Sequence, residues 1–336
     1  ILVDRTNDIS STDLRKKAIK IIINKKNEKK LMLTPGPAAI LHEHLDMFGP
    51  VFGRGDSQYE SIFNKVTNWI KKLANIDNLV TFQGSATNAL ELAAKSFVRG
   101  KVLIVDTGVY SSRFSFFLNH INVHKEYHCK YKDLENFNIR VDWIMATFVE
   151  TSTGFKSDIK ELKNLANKLG AKLYIDATAS IGLEEGHEYA DLLAFSSCKG
   201  LFGITGAAFI GYNHSLHSYK IKNHFFTMNL ENMENKITTG PYHAICSLYG
   251  VMENYKIFKD RVNKSKKEIS KNFSLFYSEK YQPLLCTRLK KKIRAVDKKD
   301  TIIFYQPRIE IEGSIVCHLG EIYRNEQKIS KMIEEY

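Results

Sequence analysis

Lys199 is the residue whose type and setting most directly point to chemistry. It stands in Ser196-Ser197-Cys198-Lys199-Gly200-Leu201-Phe202-Gly203-Ile204-Thr205-Gly206, between two apolar runs that predict buried strands, Asp191–Ser196 and Ala207–Tyr212. A lysine among small residues at the end of a buried strand is expected to be desolvated and nucleophilic. Cys198 offers a rival interpretation as a thiol nucleophile, but no histidine partner for it is evident in the sequence.

Asp176 ends another predicted strand, Ala171–Asp176. A carboxylate at the end of a buried strand is costly unless it has a partner. A pyridinium nitrogen is a suitable partner, because the carboxylate keeps it protonated and lets the ring act as an electron sink. A helix cap or a salt bridge is the alternative explanation for Asp176.

Three further strand ends carry residues that suit a phosphorylated, planar ligand. Gly84-Ser85-Ala86-Thr87 opens a predicted helix, so its N–H groups and hydroxyls can bind phosphate or only cap the helix. Tyr110 follows the predicted strand Lys101–Asp106, where its ring can cover a cofactor or pack in the core. The hydroxyls of Glu150-Thr151-Ser152-Thr153-Gly154 can bond a ring oxygen or cap the helix that begins near Asp158.

The elements that must position these residues alternate between strand and helix. Further apolar runs predict strands at Leu79–Phe82 and Trp143–Val149, and helical patterns lie at Ala86–Val98, Ser111–Asn119 and Asp158–Leu169. This alternation predicts a mostly parallel sheet covered on both faces, with ligands beyond the carboxyl ends of its strands. A long helical stretch, His243–Lys271, and two strand-like runs, Thr301–Tyr305 and Ser314–Leu319, predict a smaller C-terminal domain.

Composition sets limits on the partners. The 336 residues include 49 Lys and Arg against 37 Asp and Glu, a formal charge of +12, with the lysines scattered and without interleaved aromatic residues. We therefore expect a lysine-rich surface, or a cleft that attracts an anionic substrate, and no nucleic-acid partner. Residues 12–30 form a basic amphipathic pattern, expected to pack on the protein rather than on a membrane. Five dispersed cysteines and the absence of a signal-peptide pattern predict a cytoplasmic protein without a metal site.

The order of these parts resembles a known family. A phosphate cup, an aromatic residue, a hydroxyl cluster, a strand-end aspartate and a lysine 23 residues later are arranged as in the class V aminotransferases of the fold-type I pyridoxal-phosphate enzymes. The resemblance covers residues 31–250 and includes Thr34-Pro35-Gly36-Pro37. It is greatest to 2-aminoethylphosphonate–pyruvate transaminases and alanine/serine–glyoxylate aminotransferases.

The resemblance implies a fold and a division into domains. The fold would be α/β, with a mostly parallel central sheet of the seven-stranded type, helices on both faces and a small α+β C-terminal domain. The domains would be a basic helical segment at 1–30, a large cofactor-binding domain at 31–250 and the small domain at 251–336.

The resemblance also implies roles for individual residues. Lys199 would hold pyridoxal 5′-phosphate as a Schiff base and shuttle a proton, Asp176 would pair with the pyridine nitrogen, and Tyr110 would stack on the ring. The phosphate would be held by Ser85, Ala86 and Thr87 with Ser196 or Ser197, and the ring oxygen by Thr151 or Thr153. Thr238 and Thr239, in Thr238-Thr239-Gly240-Pro241, resemble a segment that reaches the neighbouring subunit's phosphate, which implies a homodimer with shared active sites.

One departure from the family affects the substrate. Members carry an arginine for the substrate carboxylate on a strand near the C-terminus, and Ser314-Ile315-Val316-Cys317-His318-Leu319-Gly320 has none. Arg54, Arg308 or Arg288 would then bind the substrate, or the substrate lacks an ordinary α-carboxylate; His318 is either part of an anion site or structural.

Three functions follow from these observations. The leading prediction is a transaminase that moves an amino group between a small amine or amino acid, with 2-aminoethylphosphonate as one candidate, and a 2-oxo acid. The first alternative is a pyridoxal-phosphate lyase, decarboxylase or desulfurase on the same scaffold. The second is a non-catalytic basic binding protein.

Overall fold

The computed structural model describes residue 17 and residues 31–47, 53, 55–221, 226–297, 302–322 and 329–336. The helix predicted over 12–30, and with it the segment 1–30, lies outside the described residues except for Lys17. No helix in the part of the chain that the structure describes has the length and apolar character needed to cross a membrane.

Fifteen strands are present in the described ranges: β1 (Leu31–Leu33), β2 (Asn78–Gln83), β3 (Gly100–Asp106), β4 (Val123–Lys130), β5 (Trp143–Thr147), β6 (Val149–Glu150), β7 (Phe155–Lys156), β8 (Lys172–Asp176), β9 (Leu192–Ser196), β10 (Ala207–Tyr212), β11 (Cys286–Leu289), β12 (Ile293–Ala295), β13 (Ile302–Phe304), β14 (Ser314–Cys317) and β15 (Ile333–Glu335).

The α-helices of the described ranges are α1 (His42–Asp46), α2 (Ser57–Ala74), α3 (Ala86–Phe97), α4 (Val109–Ser112), α5 (Phe114–Phe117), α6 (Ile159–Leu169), α7 (Leu230–Glu234), α8 (Tyr242–Met252) and α9 (Tyr255–Asn272). Short 3-10 helices lie at Tyr131–Asn136, His187–Tyr189, His214–Tyr219, Glu279–Tyr281, Leu319–Glu321 and Ile329–Lys331.

Seven strands form the central sheet, in the order β2-β10-β9-β8-β5-β3-β4. The five strands from β9 to β4 run parallel to their neighbours, and β10 is antiparallel to both β9 and β2. The prediction of an α/β fold with a mostly parallel sheet of seven strands is therefore confirmed.

Two apolar layers cover the sheet, because successive side chains of a strand point to opposite faces. Leu103 and Val105 of β3 belong to one buried cluster, which also contains residues of α2, α6, α8 and α9. Val102 and Ile104 belong to the other, which contains residues of α3, α5 and α7. Both faces of β3 are dry, which explains its uninterrupted apolar sequence.

Several predicted elements differ from the observed ones. The helix predicted at Ser111–Asn119 is two single-turn helices, α4 and α5, and the strand predicted at Trp143–Val149 ends at Thr147. The helix predicted at His243–Lys271 is divided into α8 and α9, and the strand predicted at Ser314–Leu319 ends at Cys317. The sequence analysis missed β4, whose segment Val-His-Lys-Glu-Tyr-His-Cys-Lys has the charge of an exposed edge strand.

Elements that follow α8 in the chain pack against β1, which precedes the central sheet in the chain. β1 pairs in parallel with β13, and Leu31 and Leu33 lie in a third apolar cluster with residues of α9, β11 and β14. The start of the predicted large domain thus packs against C-terminal elements. The division near residue 250 stays a prediction.

Candidate active site

A cavity of about 440 Å³ opens beyond the carboxyl ends of the parallel strands. Eight of the residues predicted from sequence line it: Ser85, Ala86, Thr87, Tyr110, Thr151, Asp176, Ser196 and Lys199. Its other lining residues include Cys198, Arg113, Thr178 and Thr205. Because β3, β5, β8 and β9 are parallel neighbours, the segments that follow them meet at one edge of the sheet.

The segment that carries Lys199 is held in place from several sides. It links β9 to β10, and Phe202 within it adopts a left-handed backbone conformation with φ of 57°. Groups from four other parts of the chain bond its backbone: Ala38 N–H to Cys198 O (2.8 Å), Tyr255 OH to Gly200 O (3.0 Å), His44 Nε2 to Phe202 O (2.5 Å) and Ile204 N–H to Ser247 Oγ (3.1 Å). The loop therefore presents Lys199 from a fixed backbone.

The Thr34-Pro35-Gly36-Pro37 segment lies directly against the lysine. Gly36 has φ of +128°, and a Cβ atom there would stand 3.2 Å from Lys199 Cγ and 3.8 Å from Cys198 O. Glycine at this position supplies both the backbone conformation and the space for the lysine side chain.

Asp176 is 7% exposed and faces the cavity at the end of β8. Its Oδ1 accepts a hydrogen bond of 2.8 Å from the N–H of Thr178. Burial raises the pKa of this carboxyl above its ordinary value, and the hydrogen bonds of Thr178 and the charges of Lys199 and Arg113 oppose that rise. A cationic partner in the cavity would complete its pairing.

Tyr110 lies near two basic side chains of the cavity lining. Lys199 Nζ lies 5.7 Å from the centre of the tyrosine ring, and the guanidinium carbon of Arg113 lies 4.7 Å from it. Arg113 was not among the predicted site residues. It lay within the predicted helix Ser111–Asn119, where a single arginine gives no sign of a site.

Ser85, Ala86 and Thr87 lie at the start of α3, as predicted, and line the cavity. Ser85 is the N-cap, and its Oγ accepts from the N–H of Asn88 at 3.3 Å. Of the two serines considered after β9, Ser196 lines the cavity. Ser197 does not, because its Oγ donates to Ile204 O within the lysine loop.

The two threonines after β6 differ in the same way. Thr151 is 1% exposed and lines the cavity, and its hydroxyl faces the side chain of Tyr305. Thr153 lies outside the lining, and its Oγ1 donates to Thr107 O at 3.0 Å. Of the two threonines, Thr151 is thus the one that lines the cavity.

Other predicted residues lie away from the cavity. Thr238 lines a separate cavity of about 90 Å³ and Thr239 is exposed. Arg308 is exposed outside the lining, and Arg54 lies outside the described residues. Thr238, Thr239 and Arg308 of this chain are therefore not brought to the cavity.

Arg288 and His318 are engaged by the protein itself. Arg288, opposite Ile315 in the pairing of β11 with β14, donates to Glu312 O, Thr153 O and Tyr277 OH. His318 bonds the hydroxyls of Ser265 at 2.8 Å and Thr287 at 3.0 Å, and burial lowers its pKa to about 3. Both side chains join C-terminal elements to their surroundings.

The cavity fits the cofactor that the fold family implies. Its volume lies within the usual range for small-molecule sites, roughly 300–1,000 Å³. It contains an amine at Lys199, a buried carboxylate at Asp176, an aromatic ring at Tyr110, and a hydroxyl at Thr151. These groups match the aldehyde, the ring nitrogen, the ring face and the ring oxygen of pyridoxal phosphate.

The chain is similar in sequence to known proteins. The sequence model of the family "Aminotransferase class-V" matches residues 52–220. A 2-aminoethylphosphonate–pyruvate transaminase of Pseudomonas aeruginosa is 24% identical over 256 residues, which are 67% of this chain and 68% of that protein.

Solved structures show the same fold. Alanine–glyoxylate aminotransferase from Nostoc sp. superposes with a TM-score of 0.75 at 16% identity, covering 90% of this chain and 93% of that one. Pyridoxamine–pyruvate aminotransferase from Mesorhizobium loti superposes with a TM-score of 0.73 at 20% identity, covering 89% and 88%. The family match spans half of the chain and contains the whole lining of the cavity, so the chain belongs to the class-V aminotransferases, a family of pyridoxal-phosphate-dependent transaminases.

Proposed function

We propose that this chain moves an amino group between a small amine or amino acid and a 2-oxo acid, with pyridoxal phosphate bound at Lys199. The observation that carries the proposal is the meeting of Lys199, Asp176, Tyr110 and the Ser85–Thr87 segment in one cavity. Each of these groups has an innocuous explanation alone, but together they match the cofactor's distinct functional groups.

Each residue has a defined task in the proposed reaction. The bound cofactor supplies an electron sink for the charge that develops at the substrate carbon. Asp176 would keep the ring nitrogen protonated, and Thr151 Oγ1 would donate to the ring oxygen. Lys199 Nζ would hold the cofactor covalently and, once displaced by the amino substrate, accept and return the proton of the substrate carbon.

The proposed amino donor follows from the net positive charge of the chain and from the absence of an arginine on β14. The chain has a formal charge of +12, and the described strand Ser314–Cys317 has no arginine to bind an α-carboxylate. A donor whose acidic group is a phosphonate needs no α-carboxylate site in its own half of the reaction, which makes 2-aminoethylphosphonate the first donor to test. The carboxylate of the 2-oxo acid acceptor must then be bound by residues outside β14. Arg54 and Arg308 stay our proposed substrate-binding residues, and Arg113 joins them because it lines the cavity.

The cofactor assignment is tested by trapping. The protein is incubated with pyridoxal phosphate and reduced with borohydride, and the modified peptide is identified by mass spectrometry. We expect the label on Lys199, and its loss in Lys199→Ala together with the visible absorption band. Lys264→Ala, at an exposed position of α9, is the matched control and should keep both. A label on another lysine, or none, overturns the assignment.

The reaction class is tested with a donor panel and a 2-oxo acid. Stoichiometric appearance of the aminated acceptor, dependent on the donor, supports transfer. Donor breakdown without amination of the acceptor would instead support a lyase or decarboxylase, which the absence of an arginine on β14 keeps as the second candidate. A desulfurase is disfavoured, because Cys317 is fully buried in a strand.

We also propose a homodimer with shared active sites. Thr238 and Thr239 lie outside the cavity of their own chain, and Thr239 is exposed. A residue that contacts the active site of a neighbouring subunit is expected to be exposed when its own subunit is considered alone. Hybrid dimers test this. Mixing inactive Lys199→Ala with an inactive Thr238→Ala/Thr239→Ala double variant should restore activity, since one of the two sites in each hybrid has all native residues. Failure of mixed subunits to regain activity would exclude sharing.

A further inference from the structure

Glu150 is a buried carboxylate to which the proposed reaction gives no task. We propose that Glu150 is the positioning residue that holds Tyr110 in the cofactor cavity, through hydrogen bonds from the backbone of α4 to its carboxylate. The inference rests on the proposed cofactor site, because it concerns how the ring that faces the cofactor is fixed.

The carboxylate of Glu150 is fully used by the segment that carries Tyr110 and by the turn after β6. Oε2 accepts from the N–H of Tyr110 at 2.9 Å and of Ser111 at 3.0 Å. Oε1 accepts from the N–H of Ser152 at 3.1 Å and from its Oγ at 2.5 Å. The Ser152 Oγ in turn accepts from the N–H of Val109 at 3.0 Å. Three consecutive amides of α4 are therefore bonded, directly or through Ser152, to one side chain.

The two segments are also in direct contact. A Cβ atom at Gly108 would stand 2.5 Å from Ser152 Oγ and 2.8 Å from Glu150 Cγ, so the chain entering α4 passes against the glutamate without room for a side chain. The position of Tyr110 is thus set relative to β6, the element that also leads to Thr151.

The energetic cost of Glu150 argues for a specific task. Its side chain is 0% exposed, and none of the ion pairs in the described part of the chain includes it. Burial raises the pKa of Glu150, and the charge of Asp176 adds to the rise, while the hydrogen bonds of Ser152 and Ser111 oppose it. A buried carboxylate without a cation is tolerated only when donors surround it, and here α4 and its neighbouring turn supply them.

Glutamine cannot replace this carboxylate, although it has nearly the same size. Both carboxylate oxygens of Glu150 face donors, so the amide nitrogen of a glutamine would face N–H groups whichever way it is turned. Glu150→Gln therefore breaks either the bonds to α4 or those to Ser152, and leaves the packing volume unchanged.

A double-mutant cycle in cofactor affinity tests the proposal. The dissociation constant of pyridoxal phosphate is measured by titration for the wild type, Glu150→Gln, Tyr110→Ala and the double variant. We expect Glu150→Gln to weaken binding about threefold or more in the wild-type background, up to the loss seen in Tyr110→Ala, and less than about twofold when Tyr110 is already alanine. A residue with only a general structural role would lower stability in both backgrounds without this coupling.

Further variants keep the cycle interpretable. Ser152→Ala, which removes one donor to Glu150 and the acceptor for Val109, should show the same coupling with a smaller effect if Glu150→Gln folds poorly. Glu135→Gln, at an exposed position, should leave affinity unchanged. In the cofactor-free protein, hydrogen exchange at the amides of Tyr110 and Ser111 should accelerate in Glu150→Gln.

The outcomes separate this inference from the proposed function. If the wild type binds cofactor at Lys199 and the two variants act additively, or amide exchange is unchanged, the role of Glu150 is overturned and the function stands. If the wild type binds no cofactor, the proposed function fails and this inference fails with it.

Discussion

Lys199 Nζ lies 5.7 Å from the centre of the Tyr110 ring, although 89 residues separate the two in sequence. The ring follows β3 and the amine follows β9, so the distance depends on the order of strands in the sheet. The Tyr110 ring is therefore close enough to stack on a planar ligand attached to Lys199.

Tyr110 should contribute its ring and not its hydroxyl. We expect Tyr110→Ala to weaken binding of pyridoxal phosphate by roughly three- to tenfold, the equivalent of one aromatic stacking contact. Tyr110→Phe should bind within about twofold of the wild type, because it keeps the ring. Titration of both variants checks this, and equal losses in the two would show that the hydroxyl matters.

Asp176 should oppose folding of the cofactor-free protein while serving the reaction. Since burial is the main cause that raises its pKa, the folded protein binds this proton more tightly than the unfolded chain does. The resulting loss of folding free energy is fully present above the pKa of Asp176 in the folded protein. It disappears as the pH falls to the ordinary aspartate pKa of about 3.9. Asp176→Asn should therefore stabilise the cofactor-free protein at neutral pH, with a gain that shrinks towards acid, and lower turnover by about 100-fold or more.

Asp158 is the matched control for that pH dependence. Burial acts to raise its pKa, but the bond from the Glu161 N–H and the contact with Lys280 outweigh it and lower the pKa. Ionised Asp158 therefore stabilises the folded protein at a pH above the ordinary aspartate pKa. This stabilisation is lost as the pH falls through the pKa of Asp158 in the folded protein. Urea unfolding of Asp158→Asn should thus show a loss of stability at neutral pH. A gain there, or a loss in Asp176→Asn, contradicts these assignments.

His318 should make the protein less stable in mild acid. Burial lowers the pKa of His318, and of His187, to about 3. Between an ordinary pKa of about 6.5 and the folded value, the unfolded chain binds protons that the folded protein does not. The free energy of unfolding therefore falls by about 1.4 kcal/mol for each pH unit of acidification and for each group. His318→Gln should reduce this slope by one proton in urea unfolding at several pH values. His124→Gln, at an exposed position, should leave it unchanged.

Gly36 should affect the lysine as well as the fold. We expect Gly36→Ala to lower the free energy of unfolding by about 1–3 kcal/mol, because its φ of +128° strains any side chain. It should also weaken cofactor binding, since the new Cβ would stand 3.2 Å from Lys199 Cγ. Gly170→Ala is the control: φ is +73° there, and no atom lies within 4 Å of the added Cβ. It should lose stability and keep cofactor affinity, and equal affinity losses in the two variants would exclude a direct contact.

The sequence predicted the parts of the site that follow buried strands. Apolar runs with a polar residue at the end identified Asp176 and Lys199, because a dry strand makes its terminal polar residue conspicuous. The choice between Thr151 and Thr153, or Ser196 and Ser197, depended on where each side chain points after the strand ends. No periodicity encodes those directions, since the backbone there is irregular.

Arg113 and Glu150 were missed for a related reason. A single arginine in a helical pattern is ordinarily solvated, and a glutamate next to a threonine-rich turn is ordinarily a cap. Only the pairing of strands reveals that α4 lies against β6, which brings Glu150 to the amides of Tyr110 and Ser111. The contact joins residues about 40 positions apart, beyond the range of any local pattern.

The charged residues of β4, because of which it was not predicted as a strand, also affect the solubility of the protein. Among the described residues β4 pairs with β3 alone, so its outer backbone groups lie at the border of the central sheet. Lys125 and Lys130 are exposed along it, and Glu126 lies between them. Charged side chains on an edge strand, lysines above all, discourage a second molecule from adding its own strand there. Replacing both lysines with valine would leave the cavity intact and make concentrated solutions prone to aggregate.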